Sequence, residues 1–376
     1  MICINDKKDC CGCAACVQVC HKHCIKLTED AEGFLYPSVD KYLCTDCGLC
    51  DKICPMHRTI GPLTPFTTYA ATNPDEYVRS QSSSGGIFSL FAEYVIGQGG
   101  VVFGAAFNDN WEVEHSYTES VEGLAKFRGS KYVQSQIGTS FSDVERFLKA
   151  GRQVLFSGTP CHVAGLKGYL RKDYENLLTV DCVCHGVPSP GIFREYLSME
   201  SNGKSISGIN FGDKTTGWKN YSVIFGFKGK DTFTTSREHG EDRFMQGFLR
   251  NIYLRPSCYE CHFRECRSDS DITLGDFWGI DKIRPELDDD KGLSLVIVNN
   301  KRTDDLLKAL GCNLTEMSLS EAIKYNPSIT TSVNIPPYRS LFFAARKNFG
   351  LKLALKLCCS SSIQYRIIRK IIKSLV

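Results

Sequence analysis

Cys10-x-x-Cys13-x-x-Cys16-x-x-x-Cys20 and Cys44-x-x-Cys47-x-x-Cys50-x-x-x-Cys54-Pro55 are two copies of one spacing near the start of a 376-residue chain. Three thiolates at this spacing wrap one face of a cubane iron–sulfur cluster, while the fourth points away and ligates the other cluster. The crossover predicts one 4Fe–4S cluster on Cys10, Cys13, Cys16 and Cys54, and a second on Cys44, Cys47, Cys50 and Cys20. Zinc is the natural competitor, since soft thiolates suit both metals. Structural zinc needs only two CxxC-type pairs, however, and here a four-cysteine run occurs twice. His21 stands where a proline commonly follows the fourth cysteine, whereas Pro55 is present in the second copy. The missing proline loosens a turn but removes no ligand. Cys3, Cys11 and Cys24 fall outside the ligand frame and are expected as free or buried thiols.

Composition supports this reading. Hydrophobic residues make up 42% of the chain, enough for a real core and two or three domains. The opening MICINDKKDCCGC has no apolar signal-peptide core, and no uncharged apolar run is long enough to span a membrane. Twenty cysteines in metal-type spacings then point to a reducing compartment, and the expected location is the cytoplasm. The net charge of +3 conceals an asymmetry: residues 331–376 hold nine Lys/Arg and no Asp/Glu, leaving 36 basic against 42 acidic residues elsewhere. The basic excess belongs to the tail, which argues against a nucleic-acid-binding core.

Between the cysteine runs, Ile25-Lys-Leu and Gly33-Phe-Leu-Tyr-Pro37 have the form of short ferredoxin strands, and Ile60-Gly-Pro-Leu-Thr-Pro65 is a linker. Ser82-Ser83-Ser84-Gly85-Gly86 then opens the apolar helix that starts at Ile87. Such a start offers free N–H groups to a phosphate, or is simply a capped core helix. Lys126-Phe-Arg-Gly-Ser-Lys-Tyr-Val-Gln134 is a basic loop that supplies Arg128 or Lys131 to a pyrophosphate, or lies in solvent. No GxGxxG and no Walker A loop occurs. Val154-Leu-Phe-Ser-Gly-Thr-Pro-Cys161 reads as a strand, a turn and a helix start, with Thr159 as cap and Pro160 in the first helical position. Cys161 in that first turn is a candidate ligand or nucleophile. A second strand ending at Cys182 delivers Cys184 and His185 to its carboxyl end, where ligand sites of α/β sheets collect. Residues 205–240 alternate as hairpins do, and Cys258-Tyr-Glu-Cys261 is a lone CxxC. Asp276 and Trp278 follow on a further strand.

Taken together these stretches resemble the coenzyme F-420 hydrogenase/dehydrogenase beta-subunit family. The resemblance is carried by Ser82-Ser-Ser-Gly-Gly-Ile-Phe88, Gly129-Ser-Lys-Tyr-Val-Gln134, Phe156-Ser-Gly-Thr-Pro-Cys161, Val183-Cys-His-Gly-Val-Pro188, Gly217-Trp-Lys-Asn220, Leu254-Arg-Pro-Ser-Cys-Tyr259 and Asp271-Ile-Thr-Leu-Gly-Asp-Phe-Trp278. It is thin beyond Pro285. It implies an α+β chain: a bacterial-ferredoxin-like domain over 1–60, a mixed α/β flavin-binding domain in two parts, 66–150 and 151–330, and a basic helical tail over 331–376. It further implies FAD, with Ser83, Ser84, Gly85, Gly86 and Lys131 at its phosphates, and a third 4Fe–4S cluster on Cys161, Cys184, Cys258 and Cys261. Cys182 and Cys266 are then spare thiols.

The expected activity is an iron–sulfur flavoprotein oxidoreductase that exchanges electrons with a redox partner protein and reduces or oxidises a small molecule. His185 is the candidate proton donor and Asp276 the residue that orients it. The rival reading is an electron-carrier subunit without substrate chemistry, and a zinc-stabilised scaffold is a third. In the tail, Arg366, Arg369, Lys370 and Lys373 share one helical arc opposite Tyr365, Ile367, Ile368, Ile371, Ile372, Leu375 and Val376. That face packs on the core, or makes peripheral contact with an anionic membrane.

Overall fold

The computed structural model describes residues 1–359 except 59, 63 and 229–232. The N-terminal segment carries one hairpin, β1 (Ile25–Glu29) against β2 (Leu35–Val39), antiparallel with Ile25 opposite Val39. Beyond it run β3 (Thr67–Thr72), β4 (Val101–Phe107), β5 (Val113–Thr118), β6 (Val154–Ser157) and β7 (Leu177–Cys182). Then come β8 (Ser205–Asp213), β9 (Ser222–Lys228), β10 (Phe233–Glu238), β11 (Ile272–Asp276), β12 (Ser294–Val298) and β13 (Asn313–Met317).

Eight of these strands form one mixed sheet in the order β13-β3-β12-β11-β7-β6-β4-β5. Its centre, β4, β6, β7 and β11, is parallel, and antiparallel strands complete both sides. β4 and β6 are near-continuous apolar runs because both of their faces are covered. Val101, Phe103, Val154 and Phe156 point into one core with Phe141, Val163 and Leu166. Val102, Leu155, Val180 and Val296 point into the other, against Ile87, Phe91 and Val95 of the helix Ile87–Gly97. The sequence division at residue 150 is therefore not a structural boundary, since β4 pairs with β6 across it. β3 lies between β12 and β13, so the beginning and the end of the 66–330 stretch meet in one sheet.

The N-terminal segment packs on the first of these cores, which includes Cys13, Ala14 and Ile53. Gly165, in the helix Pro160–Leu170, permits that approach: a Cβ there would lie 2.8 Å from the Cys13 Cβ. A separate three-stranded sheet, β10-β9-β8, matches the expected hairpins and covers an aromatic core with the helices Pro190–Ser201 and Arg243–Leu249. The helices Arg339–Phe349 and Leu351–Cys359 close that core, burying Phe342, Ala345, Leu351, Ala354 and Leu355. This part of the basic tail is thus a structural element of the domain. The amphipathic stretch 365–376 lies outside the described residues. Among the described residues no helix is long and apolar enough to cross a membrane.

Candidate metal centres and the cleft they lead to

The two cysteine runs turn through short helices, Ala15–Gln18 and Leu49–Lys52, each preceded by a left-handed residue, Ala14 (φ 56°) and Gly48 (φ 71°). Cys10, Cys13, Cys16 and Cys54 line one small cavity, roofed by Ile2, Leu27 and Met56. Cys20, Cys44, Cys47 and Cys50 line another, where the Cys24 sulfur lies 3.4 Å from that of Cys20. Each cavity thus takes three thiols from one run and one from the end of the other. The first is interior and the second superficial, with Cys13 buried and Cys47 exposed. Burial and the adjacent Cys10 and Cys54 thiols push Cys16 up to about 12. Such crowded thiols resist losing their protons alone but release them when a metal takes the protons' place. Among the described residues no three Cys, His, Asp or Glu side chains close around a single ion. The thiols surround cavities instead.

A third set of cysteines meets in the α/β domain. Adjacent parallel strands β6 and β7 carry Cys161 and Cys184 to neighbouring carboxyl ends. A bridge between Pro188 and Leu254 brings up the turn Pro256–Glu260 with Cys258 and, just after it, Cys261. All four line a mostly apolar cavity of about 50 Å³. Cys11, Cys182 and Cys266 line it too, so three thiols set aside as spare belong to its wall. A hydrogen bond from Cys182 and the nearby Arg264 guanidinium pull Cys184 down to about 7 against burial, whereas burial lifts Cys261 to about 11. Arg264 also donates to the Cys184 and Ser328 carbonyls and, at 3.2 Å, to that of His185. Thr159 occupies the expected cap position, but its hydroxyl is 3.1 Å from the Cys161 sulfur and caps no N–H.

Cys182, Val183 and Cys184 also face a much larger cleft, about 700 Å³, at the carboxyl ends of the parallel strands. The helix Ile87–Gly97 opens into it from Gly86 (φ 85°) with no side-chain cap, so its first N–H groups remain available. The loop before it is fixed: Gly85 N–H donates to Ser294 Oγ at 3.0 Å, and the Ser84 hydroxyl to the Leu293 carbonyl at 2.8 Å. Ser83 Oγ accepts from Ser130 N–H at 2.7 Å, joining this loop to the basic one. Of the two basic candidates, Arg128 is committed to Ser89 and Glu93. Lys131 donates to the carbonyls of Lys126 and Arg128 at 2.7 and 2.9 Å, and burial pulls its amine down to about 7.

His185 lines the cleft, with Nε2 2.6 Å from Asn251 Oδ1 and its ring edge-to-face with Phe248. Burial lowers its pKa. Asp276 does not orient it, contrary to expectation: Asp276 accepts from the Trp218 indole at 3.0 Å, and burial raises its carboxyl pKa. Asn251, which no motif marks, takes that part because the helix Arg243–Leu249 ends beside β7's exit. Trp278 lines the cleft and is backed by the buried Trp218, which stacks on it at 4.8 Å and 5°. Gly217-Trp-Lys-Asn220 was the only trace of this pair's first member.

Residues 151–318 match the family described as the C terminus of the coenzyme F420 hydrogenase/dehydrogenase beta subunit. No curated protein matches the chain. Among solved structures, it is similar to a chain of the F420-reducing NiFe hydrogenase complex from Methanosarcina barkeri, with 16% identity and a TM-score of 0.47 over 79% of this chain and 91% of that one. The matched stretch runs from β6 to β13 and takes in Cys161, Cys184, Cys258 and Cys261.

Proposed function

We propose that this chain is an iron–sulfur flavoprotein oxidoreductase with three 4Fe–4S clusters and FAD, acting on a small two-electron substrate and exchanging electrons with a partner protein. The match of residues 151–318 to the beta-subunit family supports the coarser part, a role in redox electron transfer. One observation carries the rest: twelve candidate ligands line three cavities, four to each, and adjoining cavities share walls. Cys11 and Met56 border both the inner N-terminal cavity and the third one, and Val183 and Cys184 border both the third and the cleft.

When bound, such clusters supply electrons singly and a flavin exchanges them as a hydride. The chain's own residues then have distinct tasks. The thiolates hold iron, and the exposed Cys47 site faces an incoming partner. The free N–H groups after Gly86 and the Lys131 amine bind phosphate. His185 holds a proton at the cleft wall, its imidazole fixed by Asn251. Trp278, held flat by the buried Trp218, offers the cleft an aromatic face for a ring to pack on.

Anaerobic purification followed by iron, acid-labile sulfide and flavin analysis tests this reading. About 12 iron per chain is expected for three cubane clusters, together with non-covalent FAD. About 8 iron and no flavin would make the chain an electron carrier without substrate chemistry. Stoichiometric zinc without sulfide would refute the assignment.

A further inference from the structure

Arg255 belongs to the α/β domain, where it precedes the turn that carries Cys258, yet its side chain ends inside the first cysteine run. It is 1% exposed. Nε donates to the Cys10 carbonyl at 2.7 Å, and Nη2 to the Cys10 sulfur at 3.3 Å and the Leu35 carbonyl at 3.0 Å. Nη1 donates to Gln134 Oε1 at 2.9 Å, and the guanidinium lies over the Tyr36 ring, 4.2 Å from its centroid. The cysteine loop is shaped to admit it: a Cβ on Gly12 would come within 2.8 Å of Nη1. No carboxylate pairs with Arg255 among the described residues. A buried cation without a counter-ion is costly, so the negative charge it answers is that of the Cys10 thiolate and whatever that thiolate ligates.

Among the described residues, no buried cation donates to a sulfur of the superficial site. Its sulfurs receive main-chain N–H groups, from Ile2 to Cys50 at 3.2 Å and from Asp46 to Cys44 at 3.4 Å. The Asp46 carboxylate stands at its rim, paired with the Met1 ammonium at 2.8 Å, so the two charges there offset each other. Reduction adds a negative charge to a cluster, and potentials follow net charge, hydrogen bonds to sulfur and exposure. Burial alone would make the inner cluster harder to reduce. A guanidinium in direct contact, in a site of low dielectric constant, opposes that with a stronger and specific attraction for the reduced form.

We propose that Arg255 raises the reduction potential of the inner cluster above that of the outer one, so that electrons entering at the surface settle beside the third site. The inference rests on the cluster assignment made above. Its test is a redox titration of the anaerobic holoprotein, wild type and Arg255→Gln, followed by electron paramagnetic resonance. A soluble paramagnetic relaxation agent identifies the outer cluster as the signal it broadens. In the wild type, the shielded ferredoxin-type signal is expected at the higher potential. In Arg255→Gln its reduction equilibrium falls about tenfold, or about 59 mV for a one-electron couple, while the exposed signal stays in place. Coincident or inverted midpoints in the wild type overturn the inference, and so does a variant in which both signals or neither move. Should the variant fail to assemble, the order of the wild-type midpoints decides the matter. Missing iron or sulfide in the wild type would instead refute the cluster assignment.

Discussion

The amine of Lys131 makes the pH dependence of flavin binding calculable. Burial alone brings its pKa from 10.5 to about 7, with no charged neighbour contributing. Charging it in that place therefore costs roughly 5 kcal/mol more than in water. A phosphate bound at the adjoining Ser/Gly loop offsets that cost, and above neutrality binding must take up a proton. The association constant for FAD should then fall by up to tenfold per pH unit, roughly a hundredfold (about 2.7 kcal/mol) between about pH 7 and 9. Below about pH 6 it should be level. Lys131→Met should remove the slope and weaken binding at about pH 6 by roughly 1.5–3 kcal/mol, the range for a hydrogen bond to a charged group. Titration of flavin-free protein with FAD, read by quenching of flavin fluorescence, measures both. The stability of the flavin-free protein should follow the opposite trend. Between about 7 and 10.5 the unfolded chain binds the proton that the folded chain has lost, so unfolding becomes harder as pH rises. Equal slopes in wild type and Lys131→Met, or no slope in the wild type, would refute the placement of Lys131 at a phosphate.

Cys184→Ser should lower iron from about 12 to about 8 per chain and leave the two ferredoxin-type resonance signals intact. Arg79→Ala should destabilise the fold by roughly 1–3 kcal/mol in denaturant titration, since Arg79 is 5% exposed, donates to the Gly292 carbonyl and pairs with Asp289 at 2.6 Å. Deleting residues 363–376 should leave iron and flavin content unchanged. Leu355→Ala, in the helix that closes the aromatic core, should cost about 2–5 kcal/mol.

Local spacing foretold how the cysteines of the first fifty-five residues group, because each cavity there draws three of its thiols from one short run. The same logic fails for the third site. Cys161 and Cys184 become neighbours only because β6 and β7 pair in parallel, and the CxxC joins them through a single bridge. Resemblance to a family supplied that set, and the residue pattern did not. Cys11 illustrates the limit. One position from Cys10, it is outside the ferredoxin frame and reads as idle, yet it lines the third cavity together with Cys161 from another part of the chain. The exchange of Asp276 for Asn251 beside His185 has the same cause, since a side chain's partner is set by helix docking, which periodicity does not encode. The tail was half legible: its composition marked a basic helical segment, while the burial of Leu351, Ala354 and Leu355 depended on a groove built by distant helices.

The position of β3 sets an order of events during synthesis. Its partners on either side, β12 and β13, are the last of the described strands, with Ala71 opposite both Ser294 and Leu314. On the ribosome the cysteine runs emerge first and can close on their own short loops, because their contacts are local. β3 follows almost at once and then waits, both backbone edges unsatisfied, until β12 and β13 have left the exit tunnel. An unpaired strand of TTYAAT held open that long is a template for association with other chains. The interval between the first cysteine and the last strand is therefore when nascent chains of this protein are most exposed to misassembly, and chains interrupted before β13 are the ones that should need chaperones.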